Sequence, residues 1–277
     1  MCDFVHKTVF QKIRTQRASG VIRFLAQNLY LQSWHLALLL ILKTKVIHRD
    51  IEYASTKLRT MHKKDMPIVL ITSCLRVSKL PLSYTSTRSV FSEKMRIAQT
   101  KQSIESVLQI FPNSEIFLID ISNAQVNSLK QLEINPNVRT IQINSGISKY
   151  LSKSPYKGLG EAYITLAVLK ICKDENSDFF KLSGRYTLTS RAKELLPIRD
   201  ILFKTLNQTA VTVFYGIGNQ SVKDAWCDYL SKNLTLLAKG VSIEQAFYSF
   251  TKERNLQESP SLHVEGLISV NGSHTSF

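Results

Sequence analysis

Beyond residue 66 the chain alternates short apolar runs with amphipathic stretches. Pro67 opens the run IVLITSCL, a strand by its length and composition. The polar loop Ser78–Ser89, which contains no acid, leads to a helical stretch from about Ser92 to Phe111, stopped by Pro112-Asn113. Next come the apolar run EIFLIDIS, a short helix near Asn123–Leu132 and a third strand, VRTIQIN. A polar loop, Asn144–Lys157, precedes a helix from Glu161 to Cys172 that is apolar almost all round and therefore buried. DFFKLSGRYTL reads as a strand running into a turn, and TAVTVFYG as a further strand. The helix after it ends at Gly240, which suits a left-handed cap. Ser242 and Gln245 form a capping box for a helix whose Ile243, Ala246, Phe247 and Phe250 face one way. LHVEGLISVNG closes the chain as a strand and turn. Strands and helices in alternation, with short connections, predict an α/β sandwich on a mixed, mostly parallel sheet.

Residues 1–66 read differently. They carry twelve Lys or Arg against four acids, a net +8 out of the chain's +15, and precede the α/β domain of residues 67–277 as a basic helical segment. The stretch Phe24–Leu42 is about as long as a membrane span, but Gln27, Asn28, Gln32, Ser33 and His35 dilute it. Arg14, Arg17 and Arg23 flank it on one side, and Lys43, Lys45 and Arg49 on the other. Two readings stay open: a helical hairpin packed on the domain, or a helix lying on an anionic membrane surface. The segment Lys57–Asp65 forms a charged joint between the two parts.

Composition narrows the classes. Apolar residues at 44% exclude wholesale disorder. Cys2, Cys74, Cys172 and Cys227 are far apart and make no CxxC pair, against a zinc ribbon or a disulfide scaffold. A cytoplasmic protein, peripheral on the inner face of the membrane, is the expectation. The net charge predicts attraction to polyanions, but no basic–aromatic interleaving or zinc spacing supports nucleic acid as the partner. No Gly-rich turn follows the first strand and no P-loop occurs, which disfavours methyltransferases, kinases and ATPases.

In an open parallel sheet, ligands bind beyond the carboxyl ends of the strands. That rule selects Thr72, Ser73 and Arg76 after the first strand and Asp120 after the second. Asp120 could hold a base or ribose hydroxyl, or cap the following helix. Lys157-Gly158-Leu159-Gly160-Glu161 opens the buried helix, where glycines and a helix N-terminus suit a phosphate, although Glu161 could merely complement the dipole. Lys181-Leu182-Ser183-Gly184-Arg185-Tyr186 places two cations, a hydroxyl and an aromatic where a strand leaves the sheet.

Arg88-Ser89-Val90-Phe91-Ser92, Gln99-Thr100, Ser103-Ile104, the Lys-Gly-x-Gly-Glu at 157–161 and the Ser-Gly-Arg-Tyr at 183–186 carry a resemblance. Together they resemble uncharacterised glycosyltransferase-like proteins of polysaccharide-making bacteria and large viruses. The resemblance spans about residues 67–272. It implies a GT-A nucleotide-diphospho-sugar fold, a nucleotide-sugar donor, and a polysaccharide, lipid-linked or other glycan acceptor. It also implies substrate-binding roles for the residues above, Arg88 included. Most GT-A enzymes hold a divalent metal with Asp-x-Asp, which this chain lacks, so Mn²⁺ or Mg²⁺ is not expected. Lys181 and Arg185 are the expected substitutes for that charge. Glu161, Asp178, Asp224, Glu244, His263 and Glu265 are the candidate proton acceptors, with Glu161 and Glu244 placed first. A homologue that binds sugar nucleotides without turning them over, or a basic nucleic-acid-binding protein, is the alternative.

Overall fold

The computed structural model describes residues 20–63, 66–122, 124–143, 145–172 and 177–277, and only the backbone of residues 20–25. Cys2, Arg14, Arg17 and the side chain of Arg23 lie outside the described residues. Helices α1 (Gly20–Lys43) and α2 (Val46–Arg59) form a hairpin that turns at Lys45, in the left-handed region at φ 54°. Then come β1 (Ile68–Ser73), α3 (Glu93–Ile110), β2 (Glu115–Asp120), α4 (Val126–Lys130) and β3 (Val138–Gln142). Two helices, α5 (Gly146–Lys153) and α6 (Lys157–Cys172), lead to β4 (Phe179–Ser183) and β5 (Tyr186–Leu188). Short strands β6 (Ile201–Leu202), β7 (Thr205–Leu206) and β8 (Thr209–Ala210) precede β9 (Phe214–Ile217). Helices α7 (Gln220–Ala238) and α8 (Ile243–Glu253) and strands β10 (Val264–Leu267) and β11 (His274–Ser276) complete the chain.

The fold class is the expected one, a mixed α/β sandwich. Its six-stranded sheet has the order β3-β2-β1-β4-β9-β6, in which β9 runs against its neighbours. Thr72 of β1 lies opposite Ile119 of β2 and Ser183 of β4, so these strands end together. Alternation along each strand supplies two cores. Ile68, Leu70, Phe117, Ile119, Phe179 and Tyr215 face α6, α7 and α8. Val69, Ile71, Ile116, Leu118, Phe180 and Leu182 face α3 and the small sheet β11-β10-β5. Leu38 of α1 and Ile47, Ile51 and Leu58 of α2 belong to the first core, so the basic segment shares its apolar interior with the α/β domain.

Local chemistry sets most boundaries. Ser92 caps α3 by accepting the Met95 N–H, and the Ser242–Gln245 capping box starts α8 as expected. Gly240, at φ 97°, ends α7: its N–H reaches the Leu237 carbonyl and Val241 N–H reaches Leu236. Three expectations need correction. The loop Asn144–Lys157 contains α5, started by a Ser145–Ser148 capping box, and α6 begins at Lys157 rather than Glu161. DFFKLSGRYTL divides between two sheets, because the Gly184 N–H turns back to the Thr72 carbonyl at 3.0 Å. TAVTVFYG divides into β8 and β9, which belong to different sheets.

Candidate active site

The strand order β3-β2-β1-β4 reverses direction of growth between β1 and β4, and a cleft opens beyond their carboxyl ends. Its empty space, counting the open mouth, is about 910 Å³. Thr72, Ser73 and Cys74 come from the end of β1, and Ser183, Gly184 and Arg185 from the end of β4. The loop after β1 adds Leu82, Tyr84 and Arg88; α3 adds Arg96 and Thr100; α6 adds Lys157 and Glu161; Ser269 and Val270 reach in from the far end of the chain. A side lobe of about 480 Å³ shares Tyr84, Lys157 and Glu161 with the cleft and is bounded by Tyr156, Gly158, Gly240, Ser242 and Glu244.

The cations divide into two kinds. Arg88 donates to five carbonyls, those of Leu80, Pro81, Ser152, Lys153 and Ser154, at 2.6 to 3.3 Å. It ties the loop after β1 to the C-terminal end of α5. Arg96, 7% exposed, is held by the Cys74 carbonyl and the Ser89 and Ser269 hydroxyls. Burial, helped by the neighbouring Arg185 charge, lowers it to about 10. Arg185 and Lys157 have no hydrogen-bond or ion-pair partner for their side-chain nitrogens among the described residues. The Arg185 guanidinium lies 5.8 Å from the centre of the Tyr186 ring. Burial pulls it below its ordinary value, against the opposing influence of Tyr186 and Glu161.

Lys181 extends from β4 under the floor. Its ammonium, 1% exposed, is spent on Glu161, on the Thr212 carbonyl and on Ser183 Oγ at 3.0 Å. Burial alone would raise the Glu161 carboxyl, but Lys181, then Lys157, hold it below its ordinary value of 4.5. Glu161 is therefore ionised near neutrality and is a weak proton acceptor. Glu244, in the first turn of α8, accepts a hydrogen bond from Thr212 Oγ1 at 3.1 Å and faces the side lobe.

No family model matches this chain, and no curated protein matches it. Among solved structures, the crystal structure of mouse xyloside xylosyltransferase 1 in its apo form is similar, with a TM-score of 0.39 and 9% identity. The match covers 72% of this chain and 85% of that one. A likeness that distant carries no argument about activity.

Of the residues selected from the sequence, Thr72, Ser73, Arg88, Lys157, Glu161, Ser183, Gly184 and Arg185 line one cleft. Others do not. Asp120 is fully buried and accepts from the Leu75 N–H at 2.7 Å and from the Ser122 N–H and hydroxyl, folding the loop after β1 rather than facing the cleft or capping α4. Arg76 is exposed outside the cleft, and Tyr186 is a core residue of the second apolar cluster. Gly158 bounds the side lobe and Gly160 is buried, and both are close-packed: a Cβ at Gly158 would sit 2.9 Å from the Ile243 backbone nitrogen, and at Gly160 3.2 Å from Ile121. Asp178 lies at the opposite edge of the sheet, where its carbonyl accepts the Ile68 N–H. Asp224 belongs to α7, while His263 and Glu265 accompany the small sheet. None of these four lines the cleft or its lobe. Arg96 escaped sequence reasoning because an arginine in the first turn of a helix usually points to solvent. The acid-free loop Ser78–Ser89 was the available hint to Tyr84.

Proposed function

We propose that the chain is a glycosyltransferase that takes a nucleoside-diphosphate sugar in the cleft and presents the sugar to a glycan or lipid-linked acceptor in the side lobe. The observation that carries this is the unpartnered Arg185 guanidinium at the β1/β4 switch point, beside the equally unpartnered Lys157. A half-buried cation without a counter-ion is an anion site in waiting, and a guanidinium fork matches a phosphate bidentately. The Thr72, Ser73 and Ser183 hydroxyls around it suit a polar, multiply oxygenated ligand.

In the transfer an acceptor hydroxyl oxygen bonds to the anomeric carbon, the bond from that carbon to a diphosphate oxygen breaks, and its electron pair leaves with the diphosphate. Arg185 and Lys157 are placed to hold that growing charge. Lys181 acts differently from the sequence expectation: by pairing with Glu161 it fixes the floor instead of touching the ligand. The acceptor's proton goes to Glu244, because Glu161 is held ionised by three cations. Among the described residues no three of His, Cys, Asp and Glu stand together as a metal site. In this reading Arg185 and Lys157 supply the charge that a metal supplies elsewhere.

The test combines binding and turnover. Uridine, guanosine or cytidine diphosphate, free or sugar-linked, should raise the melting temperature of the wild type, and Arg185→Ala should abolish that shift without lowering the unliganded melting temperature. Once a donor is found, Arg185→Ala should lower transfer by about 10²–10³ and Arg185→Lys should restore little. No shift with any of these ligands at saturating concentration refutes the proposal. Activity lost to chelator and restored by Mn²⁺ or Mg²⁺ refutes the cation substitution.

A further inference from the structure

Helix α1 is apolar on two opposite faces, and among the described residues only one of them is covered. Tyr30, Trp34 and Leu38, spaced by one helical turn, are buried. Trp34 packs on Tyr150 of α5 with ring centres 4.3 Å apart. The other face carries Leu29, Leu36 and Leu40, which are 62, 69 and 63% exposed, with Gln32 between them and Lys43 in the same row. Leu29, Gln32, Leu36, Leu40 and Lys43 follow one another at three to four residues, which places them on one stripe. Exposed leucines at this density, in a row, mark a contact surface rather than ordinary surface scatter.

We propose that this stripe docks α1 flat on an anionic lipid bilayer. Charge selects the occupant. Lys43 and Lys45 are exposed at the end of the stripe, and residues 1–66 hold +8 of the chain's +15. The acids of the hairpin are already committed: Asp50 accepts from the Tyr163 hydroxyl at 2.6 Å and from Ser145 at 2.7 Å, and Glu52 pairs with Lys170. Exposed leucines with cations at one end of their row fit acyl chains below and anionic headgroups beside them. A second copy of this chain would bring two segments of net +8 together. Among the described residues no helix is long and apolar enough to cross a membrane, so the contact lies on the surface. The Tyr156 hydroxyl reaches the Leu31 carbonyl of α1 at 3.5 Å, and Tyr156 also bounds the side lobe.

The full chain should co-float with vesicles of phosphatidylcholine and phosphatidylglycerol, and far less with phosphatidylcholine alone. Lys43→Ala with Lys45→Ala should weaken the partition about 25-fold, from about fivefold per cation. Leu36→Ser with Leu40→Ser should weaken it by about tenfold or more at every salt concentration. The melting temperature of both variants should match the wild type, because all four side chains are exposed. Absence of flotation overturns the proposal, as does flotation that is indifferent to the leucines. A wild-type dimer that becomes monomeric in the leucine variant, with vesicle binding unchanged, assigns the stripe to a second copy instead.

Discussion

Five cations stand in or under the cleft, and geometry rather than charge separates the three that are spent, Arg88, Arg96 and Lys181, from Arg185 and Lys157. Arg88 spends its donors on carbonyls and Arg96 on hydroxyls and a carbonyl, while Lys181 is neutralised by Glu161; Arg185 alone leaves a fork facing the cleft. The Glu161–Lys181 pair makes a testable claim. Removing one partner of a buried pair strands the other charge and costs about 3–5 kcal/mol. Glu161→Gln should lose about that much stability at neutral pH, and adding Lys181→Met should recover most of it. The pH dependence has a definite sign. Because the folded carboxyl is held below 4.5, its contribution is complete above that value and fades as pH falls through the lower folded value. Denaturant unfolding of both proteins should therefore show their gap closing as pH falls below 4.5. A gap independent of pH would mean that the pair is not the source of the loss.

Elements are positioned by close approaches that the sequence reports only as glycine. Gly158, in the first turn of α6, lies against the backbone of Val241–Ile243, so Gly158→Ala must push α6 from the start of α8. A loss of about 1–3 kcal/mol is expected, together with a wider side lobe. Gly146 opens α5 with nothing within 4 Å of an added methyl group, and Gly146→Ala should instead gain about 0.4–1 kcal/mol. Opposite shifts of melting temperature check the pair. The same contrast explains what could be read beforehand. Strands β1, β2 and β3 and helix α3 were legible because apolar runs and caps are local signals. Helix α5 was not, since eight residues with Leu151 as the buried apolar side chain carry too short a period. The cleft was half legible. The rule of strand ends found Thr72, Ser73, Ser183 and Arg185, but the commitment of Asp120 to Leu75 and Ser122 depends on how the next loop folds, and Ser269 arrives from a segment more than eighty residues away.

At the scale of the whole molecule, the composition suggests a boundary near residue 66, while the packing runs straight across it. Leu38, Ile47, Ile51 and Leu58 are buried in the core that contains Leu166, Leu169 and Trp226 of α6 and α7. The join is polar as well as apolar. Asp50 of α2 holds both the Tyr163 hydroxyl of α6 and the Ser145 cap of α5, and His62 meets Glu115 of β2 at 2.6 Å with both side chains buried. Burying four aliphatic side chains is worth about 1.5–3 kcal/mol each, or about 6–12 kcal/mol together. A whole domain is stable by only about 5–15 kcal/mol. A chain cut to residues 67–277 therefore loses a contribution as large as its entire margin and bares the outer face of α6 to water. It should be insoluble or lack a cooperative thermal transition, whereas the full chain should melt in a single one. Calorimetry of both chains decides it. If the shortened chain melts cooperatively within a few degrees of the full one, the hairpin is an appendage and the core closes without it.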